Sequence, residues 1–123
     1  HLNIAVASDG TLYAAVKTSY GGSHPKIAML VRRPNGDWDS LYEVDSSGTR
    51  PIVVISEALN RIIVAYTSSE NGGKIRYKES AMDDISFGER KTLISGSLND
   101  VTSGERGTRA GERSRDLREQ YGL

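Results

Sequence analysis

Tyr66, Arg76 and Tyr77 bring two flat aromatic rings and a guanidinium into neighbouring stretches of a chain otherwise short of chemistry. Aromatic faces with a few fixed polar groups are how a concave site usually holds a polar ligand, so these three are the candidate ligand-binding residues. Other combinations carry less. Ser23 beside His24 has the composition of a nucleophile and its base, but the pair sits in the Gly-Pro turn "YGGSHP" with no third group to orient the imidazole. It reads as a solvated loop histidine. Two histidines and no cysteine give no zinc-ligand spacing, and "SDG" or "DSSG" falls far short of a calcium loop. "YGG" and "NGG" punctuate hairpins and do not cradle phosphate. No catalytic residue, metal or cofactor is assigned.

The elements that must position these residues are strands. In 2–7, "LNIAVA" is followed by the Asp-Gly turn "SDG" and by "TLYAAVKTS", which together read as a hairpin. "KIAMLVRR" at 26–33 is a third strand, "PNGD" a turn, and "WDSLYEV" at 38–44 a fourth strand led by Trp38. After "DSSGTRP" the order restarts. "IVVIS" at 52–56, the turn "EALN", "RIIVAYTSS" at 61–69, "KIRYKESA" at 74–81, the turn "MDDIS" and "FGERKTLI" at 87–94 repeat the same sequence of parts. Leu12 falls on Ile62, Ala15 on Ala65, Ser19 on Ser69, Lys26-Ile27 on Lys74-Ile75 and Trp38 on Phe87, with the offset drifting between 48 and 50. A period near 50 with four strands per repeat is the signature of a propeller blade. The competing architecture is one eight-stranded sandwich with two similar hairpins. The expected fold is therefore all-β: two four-stranded antiparallel propeller-type blades, 1–49 and 50–98, and a charged C-terminal extension, 99–123. Trp38 and Phe87 are expected to head equivalent strands and to pack between blades.

Composition narrows the function. Sixteen basic and sixteen acidic side chains cancel, so no net attraction to nucleic acid or an anionic membrane is expected. No apolar run approaches the ~18–20 residues of a membrane-spanning helix. The extension mixes five arginines with four acids over 103–123, which reads as a solvated terminus, with a short helix over 112–123 as its ordered alternative. The compartment is left open by the lack of cysteine.

The blade layout resembles the Asp-box (BNR) repeats of sialidase-like propellers, in which a Ser-x-Asp-x-Gly-x-x-Trp turn joins the third and fourth strands. "SAMDDISF" at Ser80–Phe87 keeps the opening serine, an acid in the turn and an aromatic at the eighth place. "VRRPNGDW" at Val31–Trp38 keeps the tryptophan and has its glycine one place late. Asp83 or Asp84 would take the turn-capping role. Sialidase-type catalysis implies an Arg cluster, a Tyr–Glu nucleophile pair and an acid–base Asp. Arg32, Arg33, Arg50, Arg61, Arg76, Tyr66, Tyr77, Glu57 and Glu79 supply residue types, but their order matches no catalytic motif of that family. Propeller lectins bind sugars on aromatic faces between blades, which makes a glycan the favoured ligand.

Two blades do not close a ring, since propellers use about 4–8. Closure is expected either by a homo-oligomer, three or four copies giving six or eight blades, or by further blades of a longer chain. The start at His1 favours the second and the divergent charged tail the first. The leading expectation is a non-catalytic ligand-binding or scaffold module. A sialidase-like glycoside hydrolase and a purely structural protein-interaction module are the alternatives.

Overall fold

A computed structural model of the chain describes residues 2–19, 25–69 and 73–99, the last four by backbone alone. The Ser23–His24 pair and nearly all of the charged extension lie outside the described residues. The strands are β1 (Leu2–Val6), β2 (Leu12–Lys17), β3 (Ile27–Arg32), β4 (Tyr42–Asp45), β5 (Thr49–Ser56), β6 (Arg61–Thr67), β7 (Gly73–Ala81) and β8 (Lys91–Asn99). They form two four-stranded antiparallel sheets in the orders β1-β2-β3-β4 and β5-β6-β7-β8, each strand pairing with its neighbour in sequence. The described residues contain no helix, and neither sheet closes on itself.

The turns follow from their residues. In the first hairpin Ala7 N donates to Thr11 O at 2.8 Å and Gly10 N to Ala7 O at 3.0 Å. Arg33 N to Asp37 O at 2.7 Å and Gly36 N to Arg33 O at 2.9 Å repeat that pattern between β3 and Trp38. Gly10 and Gly36 both stand at positive φ, which is what a three-residue hairpin loop demands of its last position. Asp9 Oδ1 accepts from Thr11 N at 2.8 Å, and that backbone bond holds the Asp9 carboxyl below its ordinary pKa. Asn60 closes the β5–β6 turn at φ 53, a conformation asparagine tolerates. Its side-chain oxygen accepts from Met82 N at 3.1 Å, and its amide donates to Asp83 at 2.9 Å.

The two sheets share one core. Tyr13, Ala15, Ile27, Met29 and Val31 of the first sheet meet Val53, Ile62, Val64 and Tyr66 of the second. On the far face of the second sheet Ile52, Ala65 and Ile75 form a smaller cluster with half-buried Tyr77 and Leu93. Register shows which positions correspond. Lys17 pairs with Ile27 and Thr67 with Ile75, while Ala15 pairs with Met29 and Ala65 with Tyr77. Corresponding residues lie on opposite sides of the junction: Ala15 and Met29 face the shared core, but Ala65 and Tyr77 face away from it. The front of one sheet thus lies on the back of the next. A two-fold sandwich would bury corresponding residues from both sheets.

Polar contacts also bind the sheets together. Val53 N donates to Asn3 Oδ1 at 2.8 Å, Ser8 Oγ to Glu57 Oε1 at 2.7 Å, and Tyr66 and Arg90 both reach Asp45. Asn3→Ala leaves the buried Val53 amide without that acceptor, and is expected to lower unfolding free energy by about 1–3 kcal/mol, read as a shift in urea midpoint at unchanged slope.

Both fourth strands depart from expectation. The first begins at Tyr42, not Trp38; Trp38 makes only an isolated bridge to Arg32 and is 56% exposed, so it does not pack between sheets. Asp39 still donates its N–H to Val31 O at 3.0 Å, and its carboxylate accepts from Arg33 Nε at 2.9 Å and Tyr42 Oη at 2.6 Å, so the pairing with β3 is interrupted between Asp39 and Tyr42. The second begins at Lys91 and runs to Asn99, four residues later than expected at its start. Phe87 precedes it, half-buried against the shared core, and Gly88 N donates to Glu79 O at 3.2 Å.

Candidate functional site

The polar centre of the junction is Asp45. It ends β4 beside "SSG", and its Oδ1 accepts from Ser47 N at 3.2 Å, a local turn that holds the carboxylate inward. Tyr66 on β6 donates its hydroxyl to Oδ2, and Arg90, just before β8, grips both oxygens, with Nε 2.8 Å from Oδ2. Asp45 is 4% exposed and Tyr66 fully buried, while the Arg90 side chain remains 40% exposed. Burial opposes ionisation of Asp45, but the hydrogen bonds from Arg90, Tyr66 and the Ser47 amide outweigh it and hold the carboxyl below the ordinary carboxylate value. Burial and the adjacent Asp45 push the Tyr66 phenol well above its usual value. Both carboxylate oxygens are engaged by protein groups, so the chemistry of this cluster is a clamp between sheets.

A second cluster of the same three residue types lies nearer the surface. Arg33 reaches Asp39 with Nη2 at 2.5 Å as well as Nε, and Tyr42 donates to the same carboxylate. The Arg33 bond, then that of Tyr42, holds Asp39 below its ordinary value. With side chains 39% and 19% exposed, this Arg–Asp pair stiffens the β3–β4 connection in contact with water.

The three sequence-derived ligand residues do not converge. Tyr66 and Arg76 face each other across β6 and β7, and so lie on the core side of the sheet. Tyr66 has no accessible ring to offer a ligand. Tyr77 lies on the opposite face, half-buried, with Lys91 Nζ 5.8 Å from its ring centroid and paired to Glu79 at 3.2 Å. Glu57 is at the sheet junction, bonded to Ser8, and Arg61 begins β6 across from Ala81. The structure therefore does not gather the Arg, Tyr and Glu residues into one cluster. Among the described residues no group of three or more His, Asp or Glu is arranged to hold a metal ion.

Sequence reasoning missed Asp45 and Arg90. The Asx-turn signal of "VDSSG" was legible for Asp45, but nothing local marks Arg90, which meets it from 45 positions away. Comparison of the chain with family models, curated proteins and solved structures finds no match.

Proposed function

We propose that this chain is a non-catalytic scaffold, two blades of a propeller-type stack whose ligand is protein. The observation that carries this reading is the same-sense stacking of the sheets, Ala15 and Met29 inward against Ala65 and Tyr77 outward. Successive propeller blades stack in that sense. The likeness to an Asp-box adds to it. Ser80, buried at the end of β7, accepts from Ser86 N at 2.8 Å and so closes the turn that the serine of that motif opens. The scaffold reading is preferred to carbohydrate binding because Tyr66 is sealed in the core and Lys91 approaches the ring of Tyr77. It is preferred to glycoside hydrolysis because Asp45, the most buried carboxylate among the described residues, has both oxygens occupied.

Calorimetric titration with neutral and sialylated oligosaccharides, followed by chromatography of the mixtures, separates these functions. The expected result is no saturable heat and no released sugar. Saturable binding abolished by Tyr77→Ala would restore the carbohydrate reading, and release of a monosaccharide would replace both with a sialidase-like hydrolase.

A further inference from the structure

We infer that the outer face of the β1–β4 sheet is a docking surface for a second copy of this chain, which lays the outer face of its β5–β8 sheet upon it. This docking rests on the blade reading proposed above and repeats, between copies, the junction that already exists within one chain.

The outer face of the first sheet carries an exposed apolar row on β1: Leu2 at 63%, Ile4 at 47% and Val6 at 60%. Hairpin register identifies their counterparts. Val6 pairs with Leu12 as Ile55 pairs with Ile62, and Ile4 pairs with Ala14 as Val53 pairs with Val64. Val53 and Ile55 are among the residues that pack into the shared core. The β1 row therefore occupies the positions that, in the second sheet, are covered by a neighbouring sheet.

The opposite free face has the matching character. Tyr77 and Leu93 are half-buried there and Ile94 is exposed. Ile94 pairs with Ile75 as Asp45 pairs with Ile27, so Ile94 stands where Asp45 stands in the first sheet. The counterpart of Tyr66 is Val16, on the free face of β2. Where the internal junction has a charged clamp, the two free faces both have aliphatic side chains. The charges that flank these aliphatic positions are in contact with water, Glu79 paired with Lys91 at 3.2 Å on one face and Arg32 and Glu43 on the other, so the apolar part of the contact is the β1 row with Leu93 and Ile94.

The hairpin turns complete the template. Within the chain the β1–β2 turn meets the β5–β6 turn through Ser8 and Glu57, which hold corresponding places in successive sheets. The same step brings Glu57 of one copy toward Ser8 of the next. Such a contact is head-to-tail, and closes into a ring when the rotation per copy permits.

Light scattering coupled to size exclusion is expected to give the full chain a mass of several multiples of 13.4 kDa. Val6→Glu, at a site open to water in the single chain, is expected to return it to one multiple with an unchanged circular dichroism spectrum. Ser8→Cys chains mixed with Glu57→Cys chains and treated with a short bismaleimide are expected to give covalent dimers in the mixture alone. A monomeric wild type, assembly undiminished in Val6→Glu, or dimers within the Ser8→Cys chains by themselves would overturn the docking. A chain carrying Ser8→Cys and Glu57→Cys together separates the two levels. If it links internally while separate chains stay apart, the docking is wrong and the blade reading stands; if the internal link also fails, the blade reading falls with it.

Discussion

Asp45→Ala is expected to lower the unfolding free energy by about 3 kcal/mol. Breaking a buried ion pair commonly costs about 3–5 kcal/mol because the surviving charge is stranded. Here Arg90 is 40% exposed and can turn to water, which reduces the penalty. Tyr66 cannot turn: it is fully buried, and its hydroxyl loses the acceptor that satisfied it. Asp39→Ala, in the more exposed cluster of the same composition, is expected to cost only about 1 kcal/mol. Equal losses in a urea titration would show that the burial of Asp45 is not what makes it matter. The pH dependence has a fixed sign. Asp45 is held below its ordinary value in the folded chain, so its contribution is complete above the unfolded pKa of about 4 and is lost as pH falls from there through the folded value. Asp45→Ala should therefore lose less stability than wild type between pH 5 and 2, as read from urea midpoints at each pH (pH limits about those of carboxylate titration).

Gly48→Ala is expected to destabilise by about 2–4 kcal/mol, combining backbone strain with overpacking. Gly48 lies in the link from β4 to β5 at φ +131, where side chains are disfavoured. A Cβ there would stand 2.7 Å from Tyr66 Cδ2, 3.2 Å from Thr67 O and 3.3 Å from Ile27 Cγ1. Tyr66 is pinned by Asp45 and has nowhere to move. Gly10→Ala is the control, since at φ +95 its added methyl meets nothing within 4 Å. It should show the backbone strain alone, about 1–2 kcal/mol. Thermal unfolding of the two variants gives the comparison, and a Gly48→Ala loss no larger than that of Gly10→Ala would mean the link relaxes around the methyl.

The parts of the fold legible in the sequence are those governed by neighbours. Asp-Gly and Asn-Gly fix the hairpin turns, while alternation in "LNIAV" and the short apolar runs of "LYAAVK" and "RIIVAYT" set strands whose partners lie a few residues away. The correspondence between the two sheets was legible for the same reason, as Lys17–Ile27 and Thr67–Ile75 show in register. The fourth strands were obscured by side-chain chemistry. "WDSLYEV" alternates well, but its pairing with β3 is interrupted between Asp39 and Tyr42, where Arg33 and Tyr42 both bind the Asp39 carboxylate. The segment before β8 is turned by Arg90 toward a carboxylate in the other sheet, which no window of local sequence contains. The candidate ligand residues failed to converge for a geometric reason: Tyr66 and Tyr77 differ in parity along paired strands, so one must point into the core when the other points out.

The two sheets are meanders, and every ladder in them joins strands adjacent in sequence. Most bonds between sheets span more chain, 50 positions for Asn3–Val53, 49 for Ser8–Glu57 and 45 for Asp45–Arg90, with Asp45–Tyr66 shorter at 21. Loop-closure entropy is therefore small within each sheet and concentrated at the junction. Fast local zippering and a slower encounter between two partly formed sheets are the natural division of the folding reaction. Side chains at the junction govern whether that encounter is productive, and the exposed aliphatic row of β1 is a second apolar surface on which a wrong encounter can form.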